Sequence, residues 1–298
     1  MLLAGVVCPD LTLDNWTRMM KRDNERLGPG GEDGDMDENI VQPRASQPKV
    51  KAKAKSGGMD TIKTVFYAVL IAVLVRTVLI EPFSIPSRSM LPTLLVGDYL
   101  FVSKFSYGYS KHSLPFSPNL FSGRVWFRSP KRGDVVVFKL PTDNKTDYIK
   151  RLIGLPGDRI QVIRGRLHLN GKMVARTSLG SYTDIERDRG GYKVRYKRYR
   201  ETLPSGVNYT VLERSDEAPF VDNTDVYIVP KGHYFMMGDN RDNSRDSRYL
   251  SMVGFVPAQN LVGRADFIFF SLREDKRWWE IWYWPSYARI GRIFSSVY

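Results

Sequence analysis

Apolar positions are unevenly spread along this chain, and their spacing divides it into three parts. Through residue 58 they are scattered, with little periodicity after Met20 among Gly, Asp, Glu, Pro and Lys. The pattern predicts a disordered tail over 1–58. Leu2 to Val7 is apolar, but it is too short for a signal-peptide core and no basic residue precedes it. Met20, Met36 and Met59 are each a candidate for the true start. Next comes Thr64-Val-Phe-Tyr-Ala-Val-Leu-Ile-Ala-Val-Leu-Val75, then Arg76-Thr-Val-Leu-Ile80. From Thr61 to Ile80 this gives about twenty residues, enough for a helix across ~30 Å of hydrocarbon. Arg76 lies within about a turn of the end, where its stem can snorkel to the interface. An amphipathic or buried soluble helix is the alternative.

From Asp98 the pattern turns to β. Tyr99-Leu-Phe-Val-Ser103 and Asp134-Val-Val-Val-Phe138 are short β-rich runs bounded by Gly or Pro. Arg159 to Val174 alternates apolar with polar residues, with turn signals at Arg164-Gly165 and Asn170-Gly171. Residues 176–225 are more polar and less regular, and read as an insertion between core strands. Asp225-Val-Tyr-Ile-Val229, Tyr234-Phe-Met-Met237 and Ala265-Asp-Phe-Ile-Phe-Phe270 resume the core. The expected fold is mostly β: an antiparallel, sheet-rich domain with an inserted smaller β subdomain, preceded by one transmembrane helix. Its divisions are a first core part over 81–175, the insertion over 176–225, and a second core part over 226–298. The second part ends in an aromatic run, Trp278-Trp-Glu-Ile-Trp-Tyr-Trp284. Trp and Tyr favour the headgroup region, so membrane-surface contact is the reading for this end, against packing under the sheet.

Charge sharpens the membrane reading. The net charge of +13 favours an anionic surface. With no helix-turn-helix, zinc-finger or RNA-binding signature, lipid fits better than nucleic acid, and a basic solvated surface without a partner is the bland alternative. Lys49-Val-Lys-Ala-Lys-Ala-Lys55 precedes the apolar segment. Lysines there predict a cytoplasmic N-terminus and leave the long C-terminal region outside the cytoplasm. A single cysteine, Cys8, excludes an intramolecular disulfide and any cysteine-based metal cluster.

The candidate chemistry sits in three blocks: Ile85-Pro-Ser-Arg-Ser-Met-Leu-Pro-Thr93, Tyr148-Ile-Lys-Arg-Leu-Ile-Gly-Leu-Pro-Gly-Asp158 and Gly238-Asp-Asn-Arg-Asp-Asn-Ser-Arg-Asp-Ser-Arg248. Serine is a weak nucleophile until a base takes its proton. None of His112, His168 and His233 has a Ser/Asp context resembling a triad, so each reads as structural or surface. Lysine serves only when neutral, which near pH 7–8 requires its pKa to fall by about 2–3 units from ~10.4. Lys150 has apolar neighbours able to desolvate it, and on a strand it shares a face with Tyr148 and Leu152 while Arg151 points away. Ser89 is the candidate nucleophile and Lys150 the base. The Ser89 N–H and the Ser87 hydroxyl can face one oxyanion. Ser244 is the expected partner that orients the lysine, and Asp246 with Arg248 a supporting ion pair. A calcium loop is disfavoured: counted from Asp239, the third position is Arg241 and the sixth is Ser244, and three arginines would repel a cation.

These three ordered blocks resemble those of the bacterial type I signal peptidases, the Ser/Lys-dyad S26 family of membrane-anchored endopeptidases that remove signal peptides from exported proteins. The resemblance covers roughly residues 60–298. It implies Ser89 as nucleophile, Lys150 as general base, Ser87 in the oxyanion hole, Ser244 positioning Lys150, and Asp246 and Arg248 as structural support. Phe83, Ile85, Met90, Leu94, Tyr148 and Ile149 match positions lining the family's shallow pockets for small side chains. It further implies no metal or organic cofactor, preproteins and the lipid bilayer as partners, and no nucleic acid. The implied location is the bacterial inner membrane, single-pass, with the catalytic domain on the periplasmic or outer face. The chain departs from the pattern in two places. Arg88 stands where the family often has Gly between the two serines, and one membrane helix is found where many Gram-negative relatives have two. A self-cleaving repressor of the SOS type shares Ser/Lys chemistry but needs an N-terminal DNA-binding domain where this chain has an apolar segment. A membrane-tethered β scaffold with a degenerate site is the non-enzymatic alternative.

Overall fold

The computed structural model describes residues 58–114, 123–186, 190–214, 221–273 and 280–297. The expected tail lies outside these residues apart from Gly58, and so do Trp278 and Trp279.

Helix α1 spans Gly58–Val78. Met59–Val78 has a mean hydropathy of 1.8, and none of its apolar window is buried among the described residues, so it is long and apolar enough to cross a bilayer. Phe66, Tyr67 and Val69 are each more than half exposed, on different sides of the helix. A soluble core helix would bury such a surface, so the buried-helix alternative does not describe it. The helix begins and ends earlier than Thr61–Ile80. Ile80 leaves it because its backbone is already pairing with Ser103 in the first sheet. Arg76 does not only reach outward. Its Nη2 donates to Glu81 at 3.2 Å, just past the helix end.

The strands are β1 (Ile80–Ser84), β2 (Asp98–Ser103), β3 (Tyr109–Ser110), β4 (Arg124–Val125), β5 (Val135–Lys139), β6 (Asp147–Gly154), β7 (Arg159–Ile163) and β8 (Arg166–Leu169). They continue with β9 (Lys172–Met173), β10 (Ala175–Glu186), β11 (Tyr192–Thr202), β12 (Asn208–Glu213), β13 (Tyr227–Ile228), β14 (His233–Met237), β15 (Val256–Pro257) and β16 (Leu261–Ser271). After α1 the described residues hold only a one-turn α-helix, α2 (Trp284–Tyr287), and short 3₁₀ turns. The main sheet runs β1-β2-β16-β5-β6-β14-β15. A second sheet runs β13-β7-β8-β9 and a third β10-β11-β12. The fold is mostly β and antiparallel, with a smaller inserted sheet and one N-terminal apolar helix.

The hairpin signals work as their chemistry requires. Arg164-Gly165 and Asn170-Gly171 have φ of 48°, 69°, 53° and 79°. Positive φ at both central positions is the twist a two-residue hairpin needs.

The segment that read as irregular holds the longest strand among the described residues, β10, with 12 residues, paired to β11 with 11. Two things hid it. A register shift between Ser178 and Ser181, around Gly180, breaks the alternation of β10. On β11 the alternation Lys193-Val194-Arg195-Tyr196-Lys197 is present, but only Val194 and Tyr196 are buried. Conversely, the run Asp225–Val229 contributes only Tyr227 and Ile228 to a ladder. Just before it, the Thr224 hydroxyl accepts from the Val162 N–H, so a side chain replaces strand pairing there.

One apolar cluster joins Met90 and Leu94 to Leu100, Val102, Val135, Val137, Val262 and Ile268, beneath β1 and β6. Another joins Leu91 to Val194, Tyr196 and Leu212, with Leu95 and Tyr182 packed against it. The loop carrying Ser89 therefore rests on the main sheet on one side and on the inserted sheet on the other.

Candidate active site

The site forms where two strand edges lack partners among the described residues. β1 ends the main sheet. β6 pairs with β5 along Asp147–Arg151, but β14 joins it only from Arg151 onward, which leaves the other edge of Tyr148–Lys150 open. Residues from both edges line one cleft of about 710 Å³, with Phe83, Ile85, Ser87, Ser89, Tyr148, Ile149 and Lys150 in its wall.

The loop after β1 is clamped from the third block. The Asn240 N–H donates to the Ser89 carbonyl at 3.0 Å, and Asn240 Nδ2 donates to the Arg88 carbonyl at 3.0 Å. Met90 and Leu94, both fully buried, anchor it from below.

Lys150 Nζ lies 2.7 Å from Ser89 Oγ and donates to the Ile149 carbonyl at 2.9 Å. With the amine protonated, Nζ donates to Ser89; with it neutral, the hydroxyl can donate to nitrogen. Ser87 Oγ stands 3.3 Å from Ser89 Oγ. Lys150 is 3% exposed. Its pKa falls from 10.5 to about 8 because burial strips water from the ammonium, an effect that Asp246 and Asp239 partly oppose. Holding this amine costs the fold about 3 kcal/mol at 1.36 kcal/mol per unit.

Asp246 and Arg248 form the expected ion pair, Nε to Oδ1 and Nη2 to Oδ2 both at 2.9 Å, buried throughout. Burial alone would raise the Asp246 pKa. Arg248 and the Gly238 N–H more than reverse that and keep the carboxylate ionised. Ser244 is buried in the site, but its hydroxyl makes no hydrogen bond of normal geometry to Lys150 or any other group. It lies close enough to Asp246 to favour the ionised carboxylate. Gly238 separates Ser244 from Ser89. A Cβ there would meet Ser244 Oγ at 2.2 Å and the Ser89 carbonyl oxygen at 2.5 Å. Gly238→Ala is therefore expected to push the Ser89 loop outward, cutting turnover by at least about tenfold. Peptide-cleavage kinetics alongside thermal melting check this.

Phe83, Ile85, Tyr148 and Ile149 line the cleft, as expected of them. Met90 and Leu94 do not. They lie fully buried beneath it and shape its floor through Ile85, Phe83 and Ile149. Spacing along an irregular loop could not tell a lining position from an underlying one.

Arg76, Glu81, Asp147, Asn243 and Arg245 also line the cleft and escaped the sequence reading. So did two buried ion pairs. Asp239 accepts from Arg151 Nε and Nη2 at 2.8 and 2.7 Å, and Arg241 reaches Glu201. The alternation of Asp with Arg in the third block was a signal that its charges are paired, but not with what. The histidines lie elsewhere: His168 and His233 bond backbone carbonyls, and His112 is buried in a 3₁₀ turn.

The chain matches a family model described as "Signal peptidase, peptidase S26" over residues 58–270. It is 41% identical over 250 residues to "Signal peptidase I" of Rickettsia akari, covering 78% of this chain and 90% of the relative. The corresponding protein of Rickettsia prowazekii is also 41% identical, covering 78% and 91%. The chain belongs to the signal peptidase S26 family. It is a serine endopeptidase, a hydrolase. A crystal structure of a signal peptidase I from Enterococcus faecalis V583 is 26% identical and covers 46% of this chain and 97% of that one. Its TM-score is 0.27.

In this S26 peptidase, Arg88 is accommodated without strain. Its φ is not among the positive values, so no glycine-only angle is imposed at that position. Nor does the side chain point to solvent. It is 9% exposed, and Nε donates to Asp184 Oδ2 on β10 at 3.0 Å.

Proposed function

We propose that this peptidase cleaves N-terminal signal peptides from exported preproteins by a Ser/Lys dyad through an acyl-enzyme. The observation that carries this reading is the 2.7 Å contact between a buried lysine amine of pKa about 8 and the Ser89 hydroxyl. An extended substrate adds as a strand along the open edge of Tyr148–Ile149, with small side chains of an Ala-x-Ala site in the shallow pocket by Phe83 and Ile85. Ser89 Oγ attacks the scissile carbonyl as neutral Lys150 takes its proton. The oxyanion that forms is held by the Ser89 N–H and the Ser87 hydroxyl. Lys150 then gives the proton to the departing amine and leaves an ester on Ser89. A water deprotonated by Lys150 hydrolyses the ester and restores both groups. Ser244, Asp246 and Arg248 support the lysine's surroundings. Each step uses groups of the chain and water alone.

In this reading α1 anchors the enzyme in the bacterial inner membrane as a single pass, with its N-terminus cytoplasmic and the catalytic domain on the periplasmic or outer face. The basic run before α1 supports that orientation. At the C-terminal end, Trp282, Ile290 and Phe294 are 68%, 71% and 79% exposed, which suits contact with the lipid surface. Trp284 packs on Phe270 instead, with ring centroids 4.5 Å apart.

The test is a preprotein assay in detergent with wild type and Ser89→Ala side by side. Wild type should release one discrete mature product, and Ser89→Ala none. Only the neutral amine is a base, so kcat/KM should rise with pH: about a tenth of the lysines are neutral at pH 7, half at pH 8 and nine-tenths at pH 9. A Ser89→Ala protein that still processes the preprotein, or a rate that falls from pH 7 to 8, overturns the reading.

A further inference from the structure

Arg88 sits between the two serines of the site, and its guanidinium is spent on the inserted sheet. Arg88 Nε donates to Asp184 Oδ2 at 3.0 Å, with the two side chains only 8% and 13% exposed. Asp184 lies near the far end of β10, where its register partner is Val194. Val194, Tyr196 and Leu212 of the same sheet pack on Leu91, three residues past Arg88, and Tyr182 and Leu95 complete the contact. The inserted sheet therefore touches the Ser89 loop twice, once through an apolar face and once through a charge pair. On the opposite side, Asn240 holds the Arg88 and Ser89 carbonyls. Among the described residues, one hydrogen bond to Asp184 and two from Asn240 thus hold residues 88 and 89. The Arg88–Asp184 pair is the charged tie between this segment and the inserted sheet.

We infer that Arg88 and Asp184 are positioning residues: their ion pair sets the height of the Ser87–Ser89 segment above Lys150, and the inserted sheet serves the reaction through it. This rests on the reading of Ser89 as nucleophile. The physical case is short. Without the pair, the two Asn240 hydrogen bonds hold residues 88 and 89, and the segment can rock about them above its apolar anchors. A buried charge pair to a second sheet removes that freedom, because moving the loop would separate the charges in a poorly solvated place. Proton transfer from Ser89 to Lys150 depends on a hydrogen-bond distance, and misplacement by about 1 Å can cost ~10²-fold in rate. Substrate contacts along Phe83, Ile85, Tyr148 and Ile149 do not involve the pair, so binding should be spared.

The experiment uses the full chain in detergent and a preprotein with an Ala-x-Ala cleavage site. It compares wild type, Arg88→Gly, Asp184→Ala, the double variant and Ser89→Ala, at a temperature where melting curves show each to be fully folded. Each single variant should lose about tenfold to a hundredfold in kcat with KM within about twofold of wild type. The double variant should be no worse than the poorer single, because each single variant already loses the ion pair. A purely stabilising pair would lower Tm and leave kcat of the folded protein unchanged. That result overturns the inference, as do losses that multiply in the double variant or that fall on KM alone. Should Asp184→Ala not fold, Asp184→Asn removes the charge at constant shape and gives the same readout. Ser89→Ala keeps the two questions apart. If it cleaves, the nucleophile reading fails whatever Arg88 does. If it is dead and Asp184→Ala is normal, only the positioning role fails.

Discussion

Lys150→Met is expected to yield a folded peptidase with cleavage reduced by at least about 10⁴-fold and a higher stability than wild type at pH 7. In the proposed mechanism, loss of the base disables Ser89, since an isolated serine hydroxyl is almost never ionised near neutrality. The stability gain follows from the lowered pKa. Unfolded, the amine titrates near 10.5; folded, at about 8. The unfolded state therefore binds the proton more tightly, and the fold carries the penalty in full below about pH 8. The penalty fades as pH rises from 8 to 10.5, where both states become neutral. Methionine fills similar space without a charge, so the variant should gain about 1–3 kcal/mol at pH 7 after losing the contacts to Ser89 and Ile149. Its advantage should vanish towards pH 10.5. Chemical denaturation at pH 7 and 10 measures the gap, and preprotein cleavage measures the activity. Lys150→Arg should be equally inactive, because a guanidinium stays protonated. A Lys150→Met protein less stable than wild type at pH 7 would mean that the amine is not held against its own solvation.

The second large effect is structural. Arg151 and Asp239 are each about 1% exposed and joined by two hydrogen bonds, and Thr93 Oγ1 adds a third to the carboxylate at 2.5 Å. Among the described residues, Asp239→Ala leaves the Arg151 guanidinium buried with the Gly133 carbonyl, Thr93 and the Tyr209 ring face to receive it. Breaking one partner of such a pair costs about 3–5 kcal/mol. The expected result is a variant that melts well below wild type, or does not accumulate. Replacing both partners, as in Arg151→Met/Asp239→Leu, should recover most of the loss, because no orphan charge remains. Urea denaturation of the single and double variants decides it. A single variant within about 1 kcal/mol of wild type would show that the pair is not carrying its own desolvation.

Much of the fold was legible where local chemistry is decisive. Asn170-Gly171 and Arg164-Gly165 announced their hairpins because few other residues accept positive φ twice in a row. The length of α1 followed from counting apolar residues. The insertion was less legible. A bulge near Gly180 breaks the period of two, and a sheet buried on few positions offers little contrast between its faces. In the site, Phe83, Ile85, Tyr148 and Ile149 lie in the cleft wall, whereas Met90 and Leu94 lie one layer deeper. Ser244 was expected to bond the lysine and lies instead over Gly238, with its hydroxyl toward Asp246.

The sequence by itself determined which atoms could do chemistry here: serines and a lysine with apolar neighbours, no histidine in a catalytic setting, and a membrane-length helix just upstream. Those follow from residue type and spacing. The tertiary structure alone decided how strongly the lysine's proton is loosened, and which carboxylate each arginine meets. Desolvation is a property of everything packed around an amine, and partners such as Arg88 and Asp184 are 96 residues apart. Local periodicity reports which way a side chain points, and only the folded chain supplies what stands opposite.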